Sequence, residues 1–283
     1  MLRAVVWDVQ HGLAVYLKTP TRHLVVDLGV GSYKQGGSFS PLLALKSKGV
    51  TQLDCVIITH PHRDHLDDIA NFKALSPATL MRPKHLAAEA VYKGNTAADR
   101  EVVEQYLTIS SGFYGSIAEE KNPLRPANNG GADIRCFVPK SYAVSNLNNH
   151  SIVTVVAYAG LKLLIPGDNE PPSWAELLGQ PGFKEAIKGT DVMIAPHHGR
   201  ESGFSKELFE RIEPRMTIVS DGDVCDTTAV ARYSAHSKGM VVQRRAGGQA
   251  ERKCVTTRND GPMVVSFDTD PGTGNPRVDV RVD

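Results

Sequence analysis

Four metal-competent side chains fall within the short stretch Thr59-His60-Pro61-His62-Arg63-Asp64-His65, directly after the apolar run Cys55-Val56-Ile57-Ile58. In an extended segment alternate side chains share a face, so His60, His62 and Asp64 project the same way. A turn into helix after Arg63 brings His65 beside them. Such a loop can serve two ions, with His60 and His62 on the first and Asp64 and His65 reaching the second. Histidine supplies only 10 of 283 residues, so three at these offsets beside an aspartate mark a site rather than chance.

Two further strand ends carry the same kind of chemistry: Pro166-Gly167-Asp168 and Pro196-His197-His198-Gly199. An aspartate can give one oxygen to each of two cations, and the place of Asp168 after a hairpin favours that bridging role over an ordinary turn aspartate. A late histidine completes the second site. One of His197 and His198 is expected to bind metal, and the other to orient a substrate oxyanion or pack. Asp27, at the end of an apolar strand, is expected to hydrogen-bond the metal loop and hold its histidine tautomers. His11 sits in the turn at Gly12, where approach to the site and a structural or solvated role are both open, and Arg200 and Ser202 lie beside the last histidines, where contact with an anionic substrate and a solvated loop are both open. No Gly-x-Ser-x-Gly elbow competes as a nucleophile.

The elements that must carry these residues are legible in outline. Residues 2 to 8, 14 to 18 and 23 to 27 read as an antiparallel meander feeding a glycine loop. Ser40-Pro41 opens a short helix that ends at Gly49. The strand 53 to 58 leads into the metal loop, and 66 to 75 has helical spacing. Residues 97 to 107 form an amphipathic helix inside a segment, about 76 to 130, read as an insertion that shapes substrate access. Strands return at 133 to 138, 151 to 157 and 161 to 165, the last two joined at Ala159-Gly160. Helical patches at 174 to 178 and 206 to 212 flank the strand 191 to 195, and another strand follows at 216 to 220. Strands 253 to 257 and 263 to 267 are separated by an Asn259-Asp260-Gly261 turn. The Gly- and Pro-bearing end, 271 to 283, reads as a mobile tail beyond one domain spanning 1 to 270.

The order of these motifs resembles the metallo-β-lactamase-fold hydrolase superfamily. It is most similar to the soluble domain of the bacterial competence DNA-channel (ComEC) family and its stand-alone relatives. The resemblance runs through Asp8-Val9-x-x-Gly12-x-Ala14, Asp27-x-Gly29, Thr59-His60-Pro61-His62-x-Asp64-His65, Asn149-x-Ser151, Gly167-Asp168, Pro196-His197-His198-Gly199 and Thr257-x-x-Asp260-Gly261. Gln10-His11 and Leu13 stand where that family has Gly-Gln and a second aspartate, and Leu66-Asp67-Asp68 replaces its usual glycine pair. The resemblance implies an α/β fold, a four-layer αββα sandwich of two mixed β-sheets with external helices. It also places His150 near where many superfamily members carry a third histidine for the first metal, leaving ligand and surface-loop readings equal.

The chemistry implied is hydrolysis by water activated at two divalent metal ions, Zn²⁺ first and Mn²⁺ or Fe as alternatives, with Asp64 steering the water. The substrate class implied by the resemblance is a phosphodiester in nucleic acid or a nucleotide, or another small anionic molecule. An amide, thioester or lactone hydrolase of the same superfamily is the alternative. A non-catalytic metal-binding or regulatory partner protein on the same fold is the other. With 32 Lys and Arg against 31 Asp and Glu, net charge exerts no general pull toward nucleic acid. No apolar run approaches the roughly 20 residues that cross a bilayer, and no secretory signal is evident at the start. Cys55, Cys136, Cys225 and Cys254 show no Cys-x-x-Cys pairing, consistent with reduced thiols and a cytoplasmic location.

Overall fold

The computed structural model describes residues 1–33, 35–141, 146–223 and 226–283. Two mixed sheets dominate it. The larger has nine strands in the order Gln249–Arg252, Met240–Arg244, Pro276–Val282, Met263–Thr269, Leu2–Val6, Val15–Lys18, His23–Val26, Cys55–Ile57 and Leu80–Met81. The smaller has six: Cys254–Thr256, Met216–Val219, Val192–Ile194, Leu161–Ile165, Val153–Tyr158 and Asp133–Phe137.

Strand periodicity sorts the core into layers. In the first strand Leu2, Ala4 and Val6 point inward and meet Ile134, Val156, Leu163, Ile194 and Ile218 from the opposite sheet. This is the period-two division that a sheet with two covered faces requires. On the outer face of the nine-stranded sheet, Val25 and Val56 pack with Leu42, Leu45, Ile69, Phe72, Val103 and Tyr106 from helical segments. On the other side Val153, Val155 and Met193 pack with Trp174, Leu177, Phe183 and Tyr233. The result is the helix-sheet-sheet-helix sandwich expected from the sequence.

Local signals explain the elements nearest the site. Ser40 caps the helix Pro41–Ser47 by accepting from Leu43 N at 3.0 Å, with Pro41 in the first turn. The same hydroxyl donates to Asp68 Oδ2 at 2.8 Å, and Leu42 N donates to that oxygen at 2.9 Å. Asp68 thus ties this helix to the segment Asp67–Leu75, which winds as a 3₁₀ helix behind the metal loop. The turn at Ala159-Gly160 has both residues at positive φ, 52° and 78°, and closes the hairpin between Val153–Tyr158 and Leu161–Ile165.

Two expectations are corrected. The end of the chain is not a mobile tail: Pro276–Val282 pairs antiparallel with Met263–Thr269 and parallel with Met240–Arg244, and buries Val280 and Val282. The alternation Val278, Val280, Val282 outweighs the Gly and Pro before it. Asn259-Asp260-Gly261 does not close a hairpin either. It ends a short helix, Thr257–Asp260, that carries the chain from the smaller sheet to the larger. If the last strand is integral, Val280→Ala should lower unfolding stability by about 2 kcal/mol, read as a lower denaturant midpoint. A loosely attached tail would give no shift.

Of the cysteines, Cys55, Cys136 and Cys254 are free thiols, and burial pushes each up to about 12. Cys225 lies outside the described residues. Among the described residues no helix is long and apolar enough to cross a membrane.

Candidate metal centre

The metal loop leaves the strand Cys55–Ile57 in the middle of the larger sheet, parallel to His23–Val26. At the end of that neighbour, Asp27 is fully buried in a left-handed conformation, φ 59°. Its carboxylate accepts from Thr59 N, Thr59 Oγ1 and His65 Nδ1, each at 2.7 Å. With its hydroxyl proton given to Asp27, Thr59 Oγ1 is an acceptor for His60 Nδ1 at 3.2 Å. Both imidazoles are therefore held through Nδ1, and their Nε2 atoms face the centre. His62 is turned the other way, with Nδ1 3.0 Å from His60 Nε2.

The remaining groups come from close backbone approaches. Gly12, φ 141°, lies so near the loop that a Cβ there would stand 2.5 Å from Asp64 O. Gly167, φ 60°, packs against Ser151 and Thr59 with no room for a Cβ. This delivers Asp168, whose N–H donates to Ser151 Oγ at 3.0 Å. Asp168 Oδ1 lies 3.3 Å from His65 Nε2, and Oδ2 lies 3.2 Å from His198 Nε2 and 3.9 Å from His60 Nε2. His198 Nδ1 donates to Ser220 O at 3.2 Å, so its Nε2 also faces inward, 3.2 Å from Asp64 Oδ2. Thr257 holds that region in turn: its hydroxyl donates to Asp221 O and accepts from Asp221 N. Asp260 accepts from Thr256 N and pairs with Arg252.

His197 and His198 are both left-handed, φ 51° and 53°. With Gln10 and Asp27 they make four of the six non-glycine residues at positive φ among the described residues. Each such residue costs on the order of 1–3 kcal/mol and persists only where surrounding contacts over-determine it, as at functional sites.

The buried imidazoles and carboxylates perturb one another strongly. Burial lowers His65 and His198, but Asp168 and its neighbouring carboxylates outweigh it. His65 ends well above its usual range and His198 at about 9. Burial raises Asp64 and Asp168, yet the surrounding histidines carry both far below the usual carboxylate range. His60, with burial dominant, is lowered well below its ordinary value. Asp64, His65, Asp168 and His198 offer ligand atoms within 4.8 Å of one another. Imidazole and carboxylate donors at this spacing, largely removed from water, suit Zn²⁺ or a similar divalent ion.

The structure thus brings together His60, His62, Asp64, His65, Asp168 and His198, with Asp27 behind them. His150 is not among the four residues whose ligand atoms lie within 4.8 Å of one another. His150 is buried, not a surface-loop residue, and its Nδ1 lies 2.9 Å from His85 Nε2. His85 had no recognisable partner, because the two are 65 residues apart in the chain. His197 also stands outside the cluster, with Nδ1 2.9 Å from Ser202 Oγ and 3.4 Å from Glu170.

Several contacts go beyond what the sequence marks. His11 Nε2 lies 3.4 Å from Asp64 Oδ2 with its ring 4.5 Å from that of His198, and burial, then His198, lowers it to about 4. Gly94 gives His62 a backbone hydrogen bond, and Asn95 Nδ2 donates to Pro61 O at 2.8 Å. The segment 76–130 therefore touches the metal loop directly. An open cleft of about 490 Å³ lies over the cluster, lined by His11, His62, Asp64, Asp168, His197 and Arg200 among others. A larger cavity of about 870 Å³ lies beside Leu80–Met81 and holds none of the cluster residues.

Residues 7–210, most of the chain, match the family described as the metallo-beta-lactamase superfamily. ComE operon protein 3 of Bacillus subtilis (strain 168) is 24% identical over 180 residues, covering 63% of this chain and 21% of that protein. Competence protein ComA of Neisseria gonorrhoeae is 24% identical over 220 residues, covering 77% and 26%. The chain thus spans about a quarter or less of the length of these relatives. Among solved structures, the metallo-beta-lactamase fold protein YhfI from Bacillus subtilis is similar over 80% of this chain and 88% of that one. The identity there is 14% and the TM-score 0.43.

Proposed function

Because the chain belongs to the metallo-β-lactamase superfamily, we propose that it is a metal-dependent hydrolase whose substrate is a phosphodiester, in a nucleic acid or a nucleotide. The observation that carries this reading is the convergence of four imidazoles and two carboxylates from separate strand ends beneath an open polar cleft. His60 Nε2 and His62 Nδ1 would hold one cation, and Asp64, His65 and His198 a second, with Asp168 between them. Divalent ions in such a site supply Lewis acidity, acidifying water and offsetting charge on a phosphoryl oxygen.

The chain's own residues do the rest. Asp64 stands between His198 and His11, so its carboxylate can orient an attacking water while it remains anchored. His11 and His197 border the cleft. The floor is rigid because Asp27, Thr59, Ser151 and Ser220 hold the ligand side chains or their backbone. The phosphodiester assignment draws on the similarity to the competence proteins and on the polar, open shape of the cleft.

The test is to assay metal-loaded protein on bis-p-nitrophenyl phosphate, single-stranded DNA, and panels of thioesters and lactones. Metal-dependent cleavage of the diester that is absent in His62→Ala supports the reading. Activity confined to thioesters or lactones would replace it with the alternative hydrolase. No hydrolysis by a fully loaded protein would favour a non-catalytic metal-binding role.

A further inference from the structure

Two arginines line the cleft over the metal cluster, and the structure treats them differently. Arg63 is held by two carboxylates, Asp67 at 2.8 Å and Asp99 at 3.4 Å. Arg200 follows the left-handed pair His197-His198, with its N–H donating to His197 O at 2.9 Å. Its side chain is only 24% exposed, and its one ion pair among the described residues is with Asp226 at 3.4 Å, an aspartate that is itself 76% exposed. Arg200 Nε is buried and has no hydrogen-bond partner among the described residues. A buried guanidinium donor left unsatisfied is costly and calls for an acceptor. The cleft floor below carries Asp64 and Asp168, so an anionic substrate needs positive charge at the rim as well as in the floor.

We propose that Arg200 is the residue that selects an anionic substrate. Once the guanidinium turns from Asp226 into the cleft, its Nε–H, unpartnered at present, and a neighbouring Nη–H form a fork that takes a non-bridging phosphate oxygen or oxygen pair of the bound substrate. Asp226 is then a weak, solvent-exposed counter-ion that the substrate displaces. This takes its substrate from the phosphodiester reading above, but it is measured first without turnover. The metal-loaded protein should bind inorganic phosphate in calorimetry, and Arg200→Ala should weaken that binding roughly 10- to 100-fold. Arg200→Lys should recover it only in part, because an ammonium lacks the fork. Asp226→Ala should leave binding unchanged or tighter, since it removes the competitor.

In turnover, Arg200→Ala should raise KM for bis-p-nitrophenyl phosphate by a similar factor while leaving an uncharged ester such as p-nitrophenyl acetate unaffected. Added guanidinium should restore part of the loss. Unchanged phosphate affinity in a folded Arg200→Ala protein overturns the role. So does an equal loss on charged and uncharged esters, or an equal loss of phosphate binding in Asp226→Ala, which would make Arg200 a support for the loop. If no phosphodiester is cleaved but phosphate binding still depends on Arg200, the anion site stands and the substrate class falls.

Discussion

Replacing Asp168 with alanine is expected to cost at least one bound metal equivalent and to lower diester hydrolysis by roughly a thousandfold or more, the loss that several kcal/mol of transition-state stabilisation implies. The size follows from its position. One of its oxygens lies 3.3 Å from His65 Nε2, and the other lies between His198 and His60. No shorter or shifted side chain can serve both sides. The backbone cannot compensate, because Gly167 is wedged against Ser151 and Thr59 and Asp168 N is fixed by Ser151 Oγ. Asp168→Asn should lose nearly as much, since the amide keeps the shape but supplies a single weak acceptor. Metal analysis of the purified variants beside activity checks both. Full metal content and activity in Asp168→Ala would remove it from the centre.

The second large effect is expected at Asp27, which touches no substrate. Asp27→Ala leaves the buried Thr59 N–H and His65 Nδ1 without their acceptor, and removing one partner of a buried charged pair costs about 3–5 kcal/mol. Asp27→Asn separates stability from function. Its Oδ1 can still accept from Thr59 N, but its amide would face Thr59 Oγ1 and His65 Nδ1 with donors. His65 would then have to present Nδ1 as an acceptor and carry its proton on Nε2, the atom that faces the centre. The asparagine variant should therefore stay folded but bind metal about 10- to 100-fold more weakly. Equilibrium metal competition and thermal unfolding on the two variants read the effects separately. Wild-type metal affinity in Asp27→Asn would mean that the tautomer of His65 is set by something else.

The parts of the site that lie within one motif were visible in the chain, because strand and loop geometry alone put His60, His62 and Asp64 on one side. Asp27 was legible in part: an aspartate closing an apolar strand suits either a support for the metal loop or a turn cap, and the parallel pairing of its strand with the one before the loop decides between them. What the sequence hid are contacts made only after the chain folds back. The sequence brings His11 only as far as the Gly12 turn, and its contact with Asp64 depends on the close backbone approach that Gly12 permits. Gly94 and Asn95 reach the loop from the segment 76–130, whose pattern says only that it is helical and polar. For His150 the resemblance leaves ligand and surface-loop roles equally open, and its actual neighbour, His85, lies inside that same segment. The misread tail and the false turn at Asn259-Asp260-Gly261 share one cause. Gly, Pro, Asn and Asp mark where the chain bends, whereas the sheet a strand joins is decided by burial of residues such as Val280 and Val255.

The most direct measurement is a crystal structure of metal-loaded protein with anomalous scattering recorded at the metal edge. The binuclear reading predicts two peaks, one against His60, His62 and Asp168 and the other against Asp64, His65, Asp168 and His198, with neither His150 nor His197 as a ligand. A single peak, or a site built around His85 and His150, would contradict it.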